Sequence, residues 1–137
     1  MKYSKLRVLI VDDMSIMRTI LKALLNNMGV TNILEAGDGE MALQLLQENR
    51  VDLVLSDWNM PKMTGIELLR RIREDIVLKN IPFVMISAEA TNENISRAIR
   101  LHVNQYLVKP ICAEQLEQKI SPLLAGIAHS TAKMAAA

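Results

Sequence analysis

Five times in succession, a short β-branched or apolar run is followed by a segment with helical periodicity, and this alternation limits the chain more than any other feature. The runs are Leu6–Val11, Asn32–Ala36, Val51–Asp57, Ile81–Ser87 and Gln105–Val108. Four to seven residues is strand length, and their near-continuous apolar character fits strands covered on both faces. The segments between them repeat apolar residues at helical spacing. Ile16, Ile20 and Leu24 share one helix face, with Met17, Leu21 and Leu25 beside them. Ala42, Leu45 and Leu46 face inward from a second helix at about Gly39–Glu48. Leu68, Leu69 and Ile72 do so from a third, which begins after Thr64. A fourth helix spans about Asn92–Leu101, and a fifth starts near Ala113 with Leu116 and Ile120 inward. Five βα units with short connections predict an α/β fold: one doubly wound domain, with a parallel sheet and helices on both faces.

The punctuation agrees. Gly29 stands where a helix C′ residue belongs, Asp38 and Thr91 precede helices as caps, and Thr64 with Glu67 has capping-box spacing. Pro122 is expected to end or kink the last helix, with Leu123, Leu124 and Ile127 continuing as a last turn or short helix. The chain has 137 residues, half of them hydrophobic, enough for one core. Its net charge of +1 gives no electrostatic footprint for nucleic acid. No run is long enough to span a bilayer, so no membrane insertion is expected. The single cysteine, Cys112, excludes an intrachain disulfide and fits a reducing, cytoplasmic setting.

Right-handed crossovers bring the carboxyl ends of all the strands to one edge of the sheet. The first strand ends in Asp12-Asp13, the third in Asp57, the fourth in Ser87 and the fifth in Lys109-Pro110. Ligands bind at that edge in doubly wound sheets. Two carboxylates ~4 Å apart repel by about 4 kcal/mol at an effective dielectric of 20. Lys109 offsets part of such a repulsion, and a divalent cation would offset the rest. Oxygen-only ligands favour Mg²⁺. His102 and His129 are not spaced as a ligand pair, so zinc is not expected. A carboxylate nucleophile, Mg²⁺, a hydroxyl and a lysine are the parts needed for phosphoryl transfer to aspartate. Each residue also has a plainer reading. Asp12-Asp13 can cap the first helix, Ser87 can form a turn, Tyr106 can be ordinary half-buried packing, and Trp58 is expected to be an exposed loop aromatic. The run Arg70–Glu74 reads as a solvated helix face, and the methionines as core filler.

The motifs "VDD" (Val11–Asp13), "DWNMPKMTG" (Asp57–Gly65), "ISA" (Ile86–Ala88) and "YLVKP" (Tyr106–Pro110), in this order, resemble the CheY-like response-regulator receiver domains. The resemblance spans about Leu6 to Leu124 and implies the flavodoxin-like strand order 2-1-3-4-5, which is known for that fold. It assigns residues 1–125 to a receiver domain and leaves 126–137 as a tail, frayed or loosely helical. It implies Asp57 as phosphoacceptor. Mg²⁺ would be held by Asp12 (mainly through water), Asp13, Asp57 and the backbone carbonyl of Asn59. Ser87, Lys109 and the backbone N–H of Ala88 would bind the phosphoryl group, and Ser87 and Tyr106 would form the switch. The Lys109–Pro110 bond would be cis. Ile95, Ile99, Tyr106, Val108, Ile111 and Cys112 would form the output face.

The implied role is that of a two-component response regulator. It would take its phosphoryl group from a histidine kinase and bind a target protein when phosphorylated, with a flagellar motor or other motility component as one such target. It would be a phosphoacceptor that catalyses only its own phosphorylation and dephosphorylation. A phosphate sink, a phosphorelay intermediate and a receiver fragment of a longer regulator stay open as alternatives. An aspartyl-nucleophile phosphatase is disfavoured, because Asp57-x-Asn59 lacks the second acid such enzymes need. The sequence departs from the family at His102 and Gln105, where glycine or another small residue is usual. The turn before the fifth strand is therefore expected to be strained or rerouted.

Overall fold

The computed structural model describes residues 2–136, with side chains described through Thr131. Its elements are β1 (Arg7–Val11), α1 (Ser15–Asn27), β2 (Asn32–Ala36), α2 (Gly39–Glu48), β3 (Leu53–Asp57), α3 (Gly65–Glu74), β4 (Phe83–Ser87), α4 (Asn92–Arg100), β5 (Gln105–Val108) and α5 (Ala113–Ala136). The five strands form one parallel sheet in the order β2-β1-β3-β4-β5. The expected α/β doubly wound, flavodoxin-like architecture is therefore the one found.

Strand alternation divides the core in two. Leu9, Val11, Val54, Phe83 and Met85 point to one side of the sheet, where they meet Ala42 and Leu46 of α2, Leu68, Leu69 and Ile72 of α3, and Ala98 of α4. Val8, Ile10, Leu53, Leu55, Val84 and Ile86 point to the other side, against Leu21 and Leu25 of α1 and Leu116, Ile120 and Leu124 of α5. Burying each of these side chains larger than alanine contributes about 1.5–3 kcal/mol.

Helix ends follow local rules. Asp38, Thr64 and Thr91 each accept a backbone N–H of the first turn, from Met41, Glu67 and Asn94. At Thr64 only this arm of the expected capping box forms, because the Glu67 carboxylate pairs with Arg70 instead. Gly29 closes α1 at φ +95°, with Val30 N–H bonded to Leu25 O and Gly29 N–H to Asn26 O, a Schellman arrangement.

In α1 the buried positions are Leu21 and Leu25, whereas Ile16 and Ile20 are 63% and 43% exposed. The core-facing stripe lies one position round from the Ile16–Ile20–Leu24 row. Pro122 lies inside α5 and, contrary to one of the two outcomes expected of it, does not end the helix, which runs on to Ala136. The side chains of 132–136 and all of Ala137 lie outside the described residues. No helix among the described residues is long and apolar enough to cross a membrane.

The turn between α4 and β5 takes the left-handed conformation that its lack of glycine made doubtful, with His102 at φ +62°. Arg73, expected on a solvated face, secures it. Its guanidinium donates to the carbonyls of Leu101, His102, Lys79 and Ile81 and to Asn104 Oδ1, at 2.7–3.2 Å. Asn104 Oδ1 also accepts the Phe83 N–H at 2.8 Å. One side chain of α3 thus ties together the α3–β4 loop, the end of α4 and the start of β5.

Candidate functional site

Asp12 follows β1 directly and Asp57 ends β3, neighbouring strands in the sheet, so parallel pairing sets their carboxylates side by side. Asp12, Asp13 and Asp57 each offer one oxygen, and these oxygens lie within 4.8 Å of one another. Asp12 and Asp57 are 1% and 6% exposed, and Asp13 is exposed. Lys109 enters from the end of β5, its Nζ 3.2 Å from Asp57 Oδ1 and 3.5 Å from Asp12 Oδ2. The Lys109–Pro110 peptide is cis. Ser87 ends β4, is buried, and accepts the Glu89 N–H through Oγ at 3.1 Å. Asn59 and Ala88 occupy exposed positions in the β3–α3 and β4–α4 loops of this rim.

The plainer reading of Asp12 as a cap of the first helix is not realised: no side chain caps α1, and Asp12 Oδ1 accepts the N–H of Met14, which precedes the helix, while its Oδ2 faces Lys109. Arg18, absent from the sequence reading, donates to the Asp12 carbonyl and pairs with Glu35 at 3.2 Å, fixing the backbone behind Asp12. Only its position one turn into α1 could have pointed to it.

Burial pushes the Asp57 carboxyl above the usual carboxylate range, and the neighbouring Asp12 charge adds to that rise. Lys109 and the Trp58 N–H, which donates to Asp57 Oδ1 at 2.9 Å, pull in the opposite direction without cancelling it. The rim therefore holds more negative charge than its single ammonium neutralises. A hard dication fits that excess: the donors are all oxygen, and two of the three carboxylates are buried.

Gly65 closes the nine-residue motif for a steric reason. A Cβ built there would stand 2.2 Å from the backbone carbonyl oxygen of Asp57. Only glycine lets α3 start this close to the central carboxylate, and its N–H donates to the Trp58 carbonyl at 2.8 Å.

Trp58 differs from expectation. It is 7% exposed and belongs to the core on the α2–α4 side. Its ring centroid lies 6.4 Å from that of Tyr106, and the Arg97 guanidinium sits 5.5 Å above its face. Tyr106 is half-buried and donates through its hydroxyl to the Glu89 carbonyl at 2.7 Å. Of the expected output residues, Ile95, Ile99, Tyr106 and Val108 line one shallow hollow together with Val103 and Lys119. Ile111 packs instead against the α1–α5 side of the core, and the exposed Cys112 accepts the Gln115 N–H at the start of α5.

Residues 8–121 match the model of the response regulator receiver domain. The chain is 48% identical over 118 residues to the chemotaxis protein CheY of Pseudomonas aeruginosa, covering 86% of this chain and 95% of the relative. It is equally identical to the chemotaxis protein CheY-3 of Vibrio cholerae, covering 91% of that protein. Among solved structures, Vibrio cholerae CheY4 superposes with a TM-score of 0.80 at 31% identity, over 86% of this chain and 98% of that one. A putative response regulator from Chloroflexus aurantiacus gives 0.81 at 28% identity, over 87% and 97%. The chain belongs to the response-regulator receiver domain family and is a homologue of the CheY chemotaxis response regulators, signalling proteins of two-component systems rather than conventional enzymes.

Proposed function

We propose that Asp57 accepts a phosphoryl group from a histidine kinase and that the modified protein engages a target through its α4–β5–α5 face. The observation that carries this reading is the Asp57 carboxylate itself, buried at the end of the central strand, 3.2 Å from a lysine ammonium and within reach of two further carboxylates. An Asp57 oxygen attacks phosphorus, the phosphorus–nitrogen bond of the donor phosphohistidine breaks, and the electron pair returns to the imidazole. Lys109 pairs with the developing phosphoryl charge. Ser87 already receives an N–H on its oxygen, so its hydroxyl proton is available to a phosphoryl oxygen, with the Ala88 N–H beside it. Asp12, Asp13, Asp57 and the Asn59 carbonyl would hold Mg²⁺, which supplies charge neutralisation for phosphoryl transfer when bound. The chain would thus promote its own phosphorylation and dephosphorylation and no other turnover.

Addition of a dianion at this rim makes a signal when a two-state element responds. Ser87 moving toward the phosphoryl group leaves space that Tyr106 can fill, altering the hollow lined by Ile95, Ile99 and Val108. A motility component is the target class that the chemotaxis relatives suggest, and a cytoplasmic setting follows from the kinase donor. Incubation with acetyl phosphate and Mg²⁺ should add one phosphoryl group by intact mass, and Asp57→Asn should abolish it. Retention of the added mass in that variant would refute the assignment.

A further inference from the structure

Arg97 makes no ion pair among the described residues. Its guanidinium lies instead over Trp58, 5.5 Å from the ring centroid. Trp58 is the residue directly after Asp57, and its main chain is held at both ends. Its N–H reaches Asp57 Oδ1 and the Ile86 carbonyl, each at 2.9 Å, and its carbonyl accepts the Gly65 N–H at 2.8 Å. Its ring also meets Tyr106 of β5, at 6.4 Å between centroids. One residue therefore touches the central carboxylate through its backbone, and both α4 and β5 through its ring. Ala98 is the only residue of α4 that is fully buried. The Arg73 bonds to the Leu101 and His102 carbonyls hold the end of the helix, and along its length the Arg97–Trp58 contact adds to the burial of Ala98.

We infer that Arg97 is a positioning residue that clamps α4 onto Trp58 and so transmits the state of the Asp57 carboxylate to that helix. Placing an anion on Asp57 changes the acceptor that the Trp58 N–H faces. The indole shifts with its backbone, and the guanidinium resting on it carries α4 along. A cation over an indole at a partly exposed site corresponds to about a two- to fivefold effect on an equilibrium, and the coupling between the two places is reciprocal.

The inference rests on the reading of Asp57 as the phosphoryl site, and one experiment separates the two. Amide hydrogen exchange over Asn92–Arg100 is measured with and without Mg²⁺ and beryllofluoride, and Trp58, the single tryptophan, is followed by fluorescence. Wild type should show a change in both. In Arg97→Gln the Trp58 response should remain, the exchange change in α4 should fall by about two- to fivefold, and acrylamide should quench the metal-free protein more readily. Arg97→Lys keeps a cation and should restore part of the transmission. Arg97 is exposed, so the substitutions leave the core intact. An undiminished α4 response in Arg97→Gln overturns the clamp alone. Absence of any wild-type response overturns both the clamp and the assignment of the site.

Discussion

The two edges of the sheet treat charge in opposite ways. Where the strands begin, helices end and leave carbonyls unpaired, and the side chains gathered there are arginines. Arg73 spends its guanidinium on four carbonyls and Asn104. Arg50 pairs with Asp52 and donates to the Lys5 carbonyl, while Arg7 donates to the Arg50 carbonyl. Where the strands end, helices begin, and the side chains gathered there are carboxylates, three of them facing one ammonium. The helix dipole favours both placements. At the first edge the arginine charges are saturated with acceptors and stabilise the fold, although the buried Tyr3 hydroxyl there has no partner among the described residues. The second is left with surplus negative charge, which costs stability and suits a cation.

The largest effect on stability should come from the saturated edge. Arg73→Ala removes a charged donor from five acceptors and should cost about 2–3 kcal/mol, read as a lower urea midpoint at unchanged slope. Its Mg²⁺ affinity should stay close to wild type, because the pocket lies at the other edge. A large loss of Mg²⁺ binding would show that the two edges are not independent. Gly65→Ala should cost about 1–3 kcal/mol through overpacking. Unlike Arg73→Ala it should also weaken Mg²⁺ binding, since the added Cβ meets the Asp57 carbonyl. Unaltered Mg²⁺ titration of Trp58 fluorescence in that variant would refute the steric account.

The smallest effect has a definite sign. Burial, helped by Asp12, raises the Asp57 carboxyl above its ordinary value of 3.8. The folded chain then holds this proton more tightly than the unfolded chain, so the group lowers stability as pH climbs from 3.8 through the raised value, and the loss persists above it. In metal-free protein, Asp57→Asn should therefore be the more stable form above that window. Its advantage over wild type should shrink as pH falls back toward the ordinary carboxylate range, and Mg²⁺ should stabilise wild type more than the variant. Thermal midpoints across pH, with and without the metal, check all three. A constant difference at every pH would remove Asp57 from the account.

The rim was legible in the sequence because connectivity alone places it. Asp12, Asp57, Ser87 and Lys109 each end or directly follow a strand, and parallel crossovers leave such residues no other edge to occupy. Trp58 was misjudged because a loop aromatic beside charged residues carries no local sign of burial. Its cover comes from Tyr106 and Arg97, 48 and 39 positions away. Arg73 was misjudged for the same reason, since the acceptors that hold it belong to three other segments. Periodicity showed that α1 is amphipathic but not which of two adjacent apolar rows is innermost. Packing against β1 and α5 selected Leu21 and Leu25 and left Ile16 and Ile20 in solvent.

By itself the sequence determined the number and order of elements, the caps at Asp38, Thr64 and Thr91, and the set of residues that meet at the carboxyl edge, because these depend on neighbours along the chain and on the handedness of a crossover. Tertiary structure alone decided which charges are satisfied, that the Asp57 carboxyl is shifted upward, and that Trp58 joins the rim to α4. Those properties depend on what stands within a few ångströms in space, and distance along the chain does not report it.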